Sequence, residues 1–289
     1  MALTTTNTVN ETKLMIPELW SAITADQREE NLIIFNMYDR QYEREAGKQP
    51  YDTINIAGVN NFSVAGGLGV GGTLTYTEGQ FANQIQLSIG THIYHAFDIE
   101  TEAELMTNIS LMQKLTGKSA YAMALKMDDD AADLIDGFGT NIVGTLGSPL
   151  DEEDVRTAMR LLNDKIVPES NRFFVMSPYQ QAHFMGIERL TNSLYASAVG
   201  NLNVGPKFRG YFGTHHGADW YMTGNVDGTN AAGHDNGMFH REAVATAVID
   251  NMRTASMYEI DTDSNKHAIH AIYGLIEVRD DHGVYMRGL

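Results

Sequence analysis

The chain has 289 residues, 43% of them hydrophobic, enough for one large domain or two small ones and incompatible with global disorder. Its 20 basic and 37 acidic residues give a formal net charge of -17, the reverse of what a phosphate-gripping surface needs. With no cysteine, disulfides, thiolate metal sites and cysteine nucleophiles are excluded, and no stretch approaches the ~20 apolar residues of a membrane helix.

Residues 1–12 are polar and rich in Thr and Asn, with neither the basic nor the apolar region of a secretory signal, and read as disordered in isolation. Ile16-Pro17-Glu18 opens a short helix, with proline in its first turn. A second helical pattern puts Leu32, Phe35, Tyr38 and Tyr42 on one face and ends at Gly47 and Pro50.

Residues 51–97 read as one extended β-arm. Thr53-Ile54-Asn55-Ile56 and Gln84-Ile85-Gln86-Leu87-Ser88-Ile89 alternate polar and apolar side chains, the period of a half-buried strand. Five glycines lie between Gly66 and Gly72, at the expected tip. A lone hairpin is marginal in water, so the simplest cover for its apolar face is another copy of the same chain. The contact residues expected on this reasoning are Trp20, Phe35 and Tyr38 before the arm and Ile54, Ile56, Leu74, Tyr76, Ile85 and Leu87 along it. Gly66, Gly67, Gly69, Gly71 and Gly72 complete the set at the tip.

A long helix follows. Thr101-Glu102-Ala103-Glu104 has the pattern of a capping box. Leu105, Ile109, Met112, Ala120, Met123, Met127, Ala131, Leu134 and Phe138 recur at helical spacing, with Gly117 as a bend and Gly137 and Gly139 at the end. Residues 102–136 would span roughly 50 Å. Beyond residue 145 the pattern becomes α/β. Ser148 and Pro149 start a helix with Val155, Met159, Leu162 and Ile166 as its buried stripe. Arg172–Met176 reads as a buried strand, and Ser177-Pro178 caps a helix through Met185. Residues 223–237 read as a surface loop, residues 239–248 as helix or strand, and residues 255–289 as β-structure.

The chemical signals are few. Gly67-Leu68-Gly69-Val70-Gly71-Gly72 matches the dinucleotide fingerprint literally, but a strand pattern follows it where that site needs a helix. His215, His216 and Asp219, and His234, Asp235 and His240, offer ligand types without a defined ligand spacing. Ser177, Ser193 and Ser256 lack a nucleophile-elbow context. Asp128, Asp129, Asp130, Asp133 and Asp136 form an acidic helix end, read as solvated repulsion rather than an ion site. No catalytic, cofactor or metal residues are therefore assigned. Residues 98–154 hold 13 acidic side chains against 3 lysines, a poor DNA partner but a suitable lining for a compartment that holds DNA without adhering to it.

Taken in order, these elements resemble the major capsid proteins of tailed bacteriophages, which share the HK97-type shell fold. Ile16-Pro17-Glu18-Leu19-Trp20, residues 154–178, Phe239–Ala245 and Tyr273–Arg279 each resemble segments of that family. The resemblance implies an α+β fold with an N-terminal arm (1–49), an extended β-loop (50–97), and a spine helix with peripheral domain (98–144). An α/β axial domain (145–250) and peripheral return strands (251–289) complete it. It also implies a non-enzymatic structural protein that self-assembles as hexamers and pentamers into an icosahedral head around double-stranded DNA, in the host bacterial cytoplasm. Partners would be a portal and either a separate scaffolding protein or none, the N-terminus being too short for a fused one, with weak, non-specific DNA contact and no membrane. Some relatives weld their shells through a lysine on the extended loop; residues 49–113 hold neither lysine nor arginine, so no such crosslink is expected. Two rivals remain at this stage: an encapsulin-like compartment shell and a metal-assisted hydrolase using the second-half histidines.

Overall fold

The computed structural model describes residues 33–44, 53–59, 81–101, 111–187, 210–229 and 232–289. Trp20, Gly66, Gly67, Gly69, Gly71, Gly72, Leu74 and Tyr76 lie outside these residues, as do Leu105 and Ile109 of the long-helix stripe.

In chain order the elements are helix α1 (Ile34–Met37), strands β1 (Thr53–Val59), β2 (Phe81–Ser88) and β3 (Thr91–Glu100), and helix α2 (Leu111–Ala132). Then come β4 (Ile142–Gly144), α3 (Glu152–Asp164), β5 (Arg172–Met176), α4 (Pro178–Met185), β6 (Tyr211–His215), β7 (Ala218–Met222) and β8 (Gly228–Thr229). The chain continues with β9 (Gly233–His240), β10 (Val244–Glu259), β11 (Ser264–Glu277) and β12 (Gly283–Gly288). One-turn 3-10 helices occupy Gln41–Arg44, Arg241–Ala243 and Asp280–His282.

A seven-stranded mixed sheet runs β4-β12-β9-β5-β7-β6, with β8 on β9. Strand alternation sorts its residues onto two faces. Phe174, Met176, Trp220, Met238, Val284 and Met286 meet Val155, Ala158 and Leu162 of α3 and Phe184 of α4. Val175, Tyr221, Phe239 and Tyr285 face the other way, onto Ile135 and Phe138 beyond α2 and onto Ile33–Tyr38.

A second sheet runs β10-β11-β3, and a third is the antiparallel pair β1-β2. In that pair Ile54 lies opposite Leu87 and Ile56 opposite Ile85, as the alternation requires. Residues 91–97, read as part of the arm, instead form most of β3 and pair with β11 from Thr91–Tyr273 to Glu100–Ser264. The β10–β11 ribbon carries register shifts between Val248 and Asp250 and between Asp250 and Arg253. Such bulges bend a strand and tighten its twist.

Five local expectations are corrected. The helix predicted over Leu32–Tyr42 breaks after Met37, because Asp39 pairs with β10: its N–H donates to Val244 O at 3.1 Å and its carbonyl accepts from Thr246 N–H at 2.8 Å. Helix α2 ends at Ala132 and passes through Gly117 without interruption. Helix α3 starts at Glu152, not Ser148; Asp151 and Asp154 form the capping box, while Gln180 holds both the N–H and the carbonyl of Leu150. Ile166 lies past the end of α3 and is 90% exposed, so it is not part of the buried stripe. Residues 233–237 are not loop but the start of β9, with Asn236 fully buried. Gly237 is required there because a side chain at this position would meet Ile135 at 2.6 Å.

Candidate assembly surfaces

The segment before the arm is fastened to the long helix by one carboxylate. Asp128, 1% exposed, accepts from Phe35 N–H at 2.9 Å, Ile33 N–H at 3.3 Å and Asn225 Nδ2 at 2.7 Å. It thereby caps the N-terminal end of α1 from 93 residues away in sequence. Burial pushes its carboxyl up, and the hydrogen bonds from Phe35, Asn225, Ile33 and Ile34 oppose that shift. Tyr38 donates its hydroxyl to Ala131 O at 2.8 Å, and its ring packs 5.2 Å from that of Phe239. Burial, then the nearby Asp128 charge, raises the Tyr38 phenol well above its usual range.

The acidic run is thus not uniformly solvated. Asp128 faces inward, Lys126 pairs with Asp129 at 3.2 Å and with Asp130 at 2.7 Å, and Asp130 accepts the hydroxyl of Tyr273. Periodicity carried a signal for this: Asp128 falls between Met127 and Ala131, beside the buried stripe.

The base of the arm rests on its own chain. Ile54, Leu87 and Ile89 are buried against Ala245 and Ala247 of β10, with Ile56, Ile272 and Ile276 packed around them. Gly274 lets this happen: the Ser88 carbonyl passes where a side chain at residue 274 would stand. Of the expected contact residues, Phe35, Tyr38, Ile54 and Leu87 are therefore spent in the internal core. Ile56 and Ile85 stay half-buried.

Exposed apolar side chains gather elsewhere, at the end of the β10–β11 ribbon. Met257 is 64% exposed, Tyr258 52% and Ile260 81%. The turn that carries them is braced. Asp263, at φ 45°, accepts the Tyr258 hydroxyl at 2.6 Å and the Thr101 hydroxyl at 3.0 Å, and its carbonyl accepts from Thr101 N–H at 3.0 Å. These hydroxyls hold the Asp263 carboxyl below its ordinary range, Tyr258 first and Thr101 second. Thr101, read as a helix cap, here ties the ribbon to β3; Glu102–Glu104 of the expected box lie outside the described residues. The sequence signal for this tip was Met257-Tyr258-Glu259-Ile260 running directly into the turn residues Asp261–Ser264.

The histidines and carboxylates weighed as ligands do not converge. His215 packs on Trp220 at 5.1 Å, Asp219 accepts from Thr214, and Asp235 accepts from Tyr285. His234 and His240 stand at opposite ends of β9, six residues or about 20 Å apart. The structure does gather His240, Glu242 and His282, whose ligand atoms lie within 4.8 Å of one another. Arg279 already supplies positive charge there, with Nη1 3.5 Å from His282 Nε2 and 3.8 Å from Glu242 Oε2. Both imidazoles are held below their ordinary range by burial first; the Arg279 charge lowers each further. His282 was not singled out in sequence, because nothing local pairs it with His240.

A β-arm anchored at its base, a long helix carrying an antiparallel sheet, and a mixed sheet flanked by two helices together define the HK97-type shell fold. The chain belongs to the phage capsid protein family, whose match covers residues 95–285. It is a structural protein of the phage shell, a major capsid protein, and its place is the capsid of the virion. A structure from Mycobacterium phage Che8 is similar at 22% identity with a TM-score of 0.72, covering 94% of this chain and 96% of that one. The capsid of Ralstonia phage GP4 is similar at 13% identity and a TM-score of 0.63, covering 92% of this chain and 93% of that one. The capsid of cyanophage P-SCSP1u is similar at 14% identity and a TM-score of 0.62, covering 83% of each chain. No curated protein matches the sequence. The compartment-shell and hydrolase readings are not favoured by these matches.

Proposed function

We propose that the protein assembles as hexamers and pentamers into an icosahedral head around double-stranded DNA, in the cytoplasm of its bacterial host, without catalysing a reaction. A heterologous contact repeated around a ring closes into such capsomers. The observation that carries this reading is the braced, exposed apolar tip of the β10–β11 ribbon, at Met257, Tyr258 and Ile260. An isolated subunit gains nothing from holding such side chains in water; a neighbouring subunit that covers them does.

Trp20, Ile56, Leu74, Tyr76 and Ile85, with Gly66, Gly67, Gly69, Gly71 and Gly72, are assigned to contacts of the arm and N-terminal segment with neighbours. Phe35, Tyr38, Ile54 and Leu87 support those contacts from inside the core. Residues 1–49, 50–97, 98–144, 145–250 and 251–289 are read as arm, loop, spine, axial and return segments. A scaffolding protein and a portal are the expected partners. The acidic helix would keep DNA contact weak.

The test is electron microscopy and sedimentation of the expressed protein beside a Met257→Asp/Ile260→Asp variant. Exposed positions tolerate such changes with little effect on folding. The parent should form closed shells, and the variant should stay as folded, unassembled subunits with an unchanged circular dichroism spectrum. A parent protein that remains a compact monomer under all conditions overturns the reading.

A further inference from the structure

Ile166 occupies a position that its chemistry opposes twice. It follows α3 with φ 57°, in the left-handed region that favours glycine or asparagine and is an outlier for a β-branched residue. It is also 90% exposed, the highest value for a large apolar side chain among the described residues. Its neighbours are engaged: Lys165, itself exposed, reaches Asp281 at 3.4 Å, and Val167 turns inward to 4% exposure.

The backbone around it is held from below. Ile166 N–H donates to Asn163 O at 2.9 Å and Val167 N–H to Leu162 O at 3.1 Å, closing the end of the helix. The buried Arg172 donates to Val167 O at 2.6 Å through Nη2 and to Pro168 O at 2.8 Å through Nε. Arg241 N–H donates to Asn171 O at 3.1 Å. The loop therefore does not swing to hide the isoleucine; it presents it. Backbone strain of this kind persists where surrounding structure over-determines it, and it concentrates at functional positions.

We propose that Ile166 is an assembly knob, inserted into an apolar recess of a neighbouring copy in the shell. This rests on the shell reading above. A family whose members build capsids supplies the occupant: many copies of the same chain, packed side by side. The strain is then a cost carried by the free subunit and offset only on assembly.

Two variants separate this from a structural role. Ile166→Gly relieves the left-handed strain and removes the knob. It should raise the melting temperature of the unassembled subunit while raising the critical concentration for assembly by roughly tenfold or more, the loss expected for one buried isoleucine. Ile166→Val should assemble nearly as the parent does. Because the protein has no cysteine, Ile166→Cys gives a single probe: maleimide should label it rapidly in free subunits and slowly in shells. Equal labelling before and after assembly overturns the proposal, as does unchanged assembly of Ile166→Gly. A lower melting temperature for free Ile166→Gly subunits also overturns it, by showing that the chain covers this side chain itself. A parent protein that never forms shells refutes the shell reading instead, and takes this inference with it.

Discussion

Asp128 does what the four donors at the start of a helix normally require of a local cap, but from another part of the chain. Removing its carboxylate leaves two backbone N–H groups and the Asn225 amide unpaired in the core. Asp128→Ala should cost about 3 kcal/mol, read as a lower melting temperature, and should speed proteolysis of the N-terminal segment. Glu277 makes the complementary case. Burial, then the charge of Asp280, pushes its carboxyl up to about 7 from an ordinary 4.5. The folded state therefore binds this proton more tightly than the unfolded chain does. The resulting stabilisation is complete below about pH 4.5 and is lost as pH rises through about 7. Glu277→Gln, which mimics the protonated form, should be more stable than the parent at pH 8 and equal to it near pH 4, by thermal unfolding at each pH.

At the scale of elements, what was legible in the sequence was what is determined locally. Strand β5 and helix α4 appear with the predicted bounds because a run of apolar residues meets a Ser-Pro cap whose hydroxyl accepts from Gln180 N–H. The arm strands appear because alternation survives without tertiary help. Two of the failures come from partners distant in sequence. The helix predicted through Tyr42 yields to pairing of Asp39 with β10, and the glycines and asparagines of β9 look like loop until Ile135 and Ser177 are placed beside them. The anchoring of the arm is of this second kind. It depends on Gly274, and Gly274→Val should force β2 off β11 and cost roughly 1–3 kcal/mol, seen as a reduced denaturation midpoint with an intact secondary-structure signal.

At the scale of the whole molecule, some residues read in sequence as contacts are covered by the chain itself, because amphipathic pattern marks what is buried, not which copy buries it. Ile54 and Leu87 have the right pattern, yet their cover is β10 of the same chain. Ile166 and Ile260 interrupt no pattern; exposure marks both, and a left-handed backbone marks Ile166 as well. One feature of the mixed sheet bears on when a subunit becomes usable. Strand β12 lies between β4 and β9, parallel to the first and antiparallel to the second. A ribosome that has made β4 and β9 has therefore made two edges with nothing between them, and the gap closes only when residues 283–288 emerge. Translation itself thus acts as a clock: a polypeptide that stops short of residue 283 lacks the strand that joins these edges, and the sheet stays divided until residues 283–288 are made.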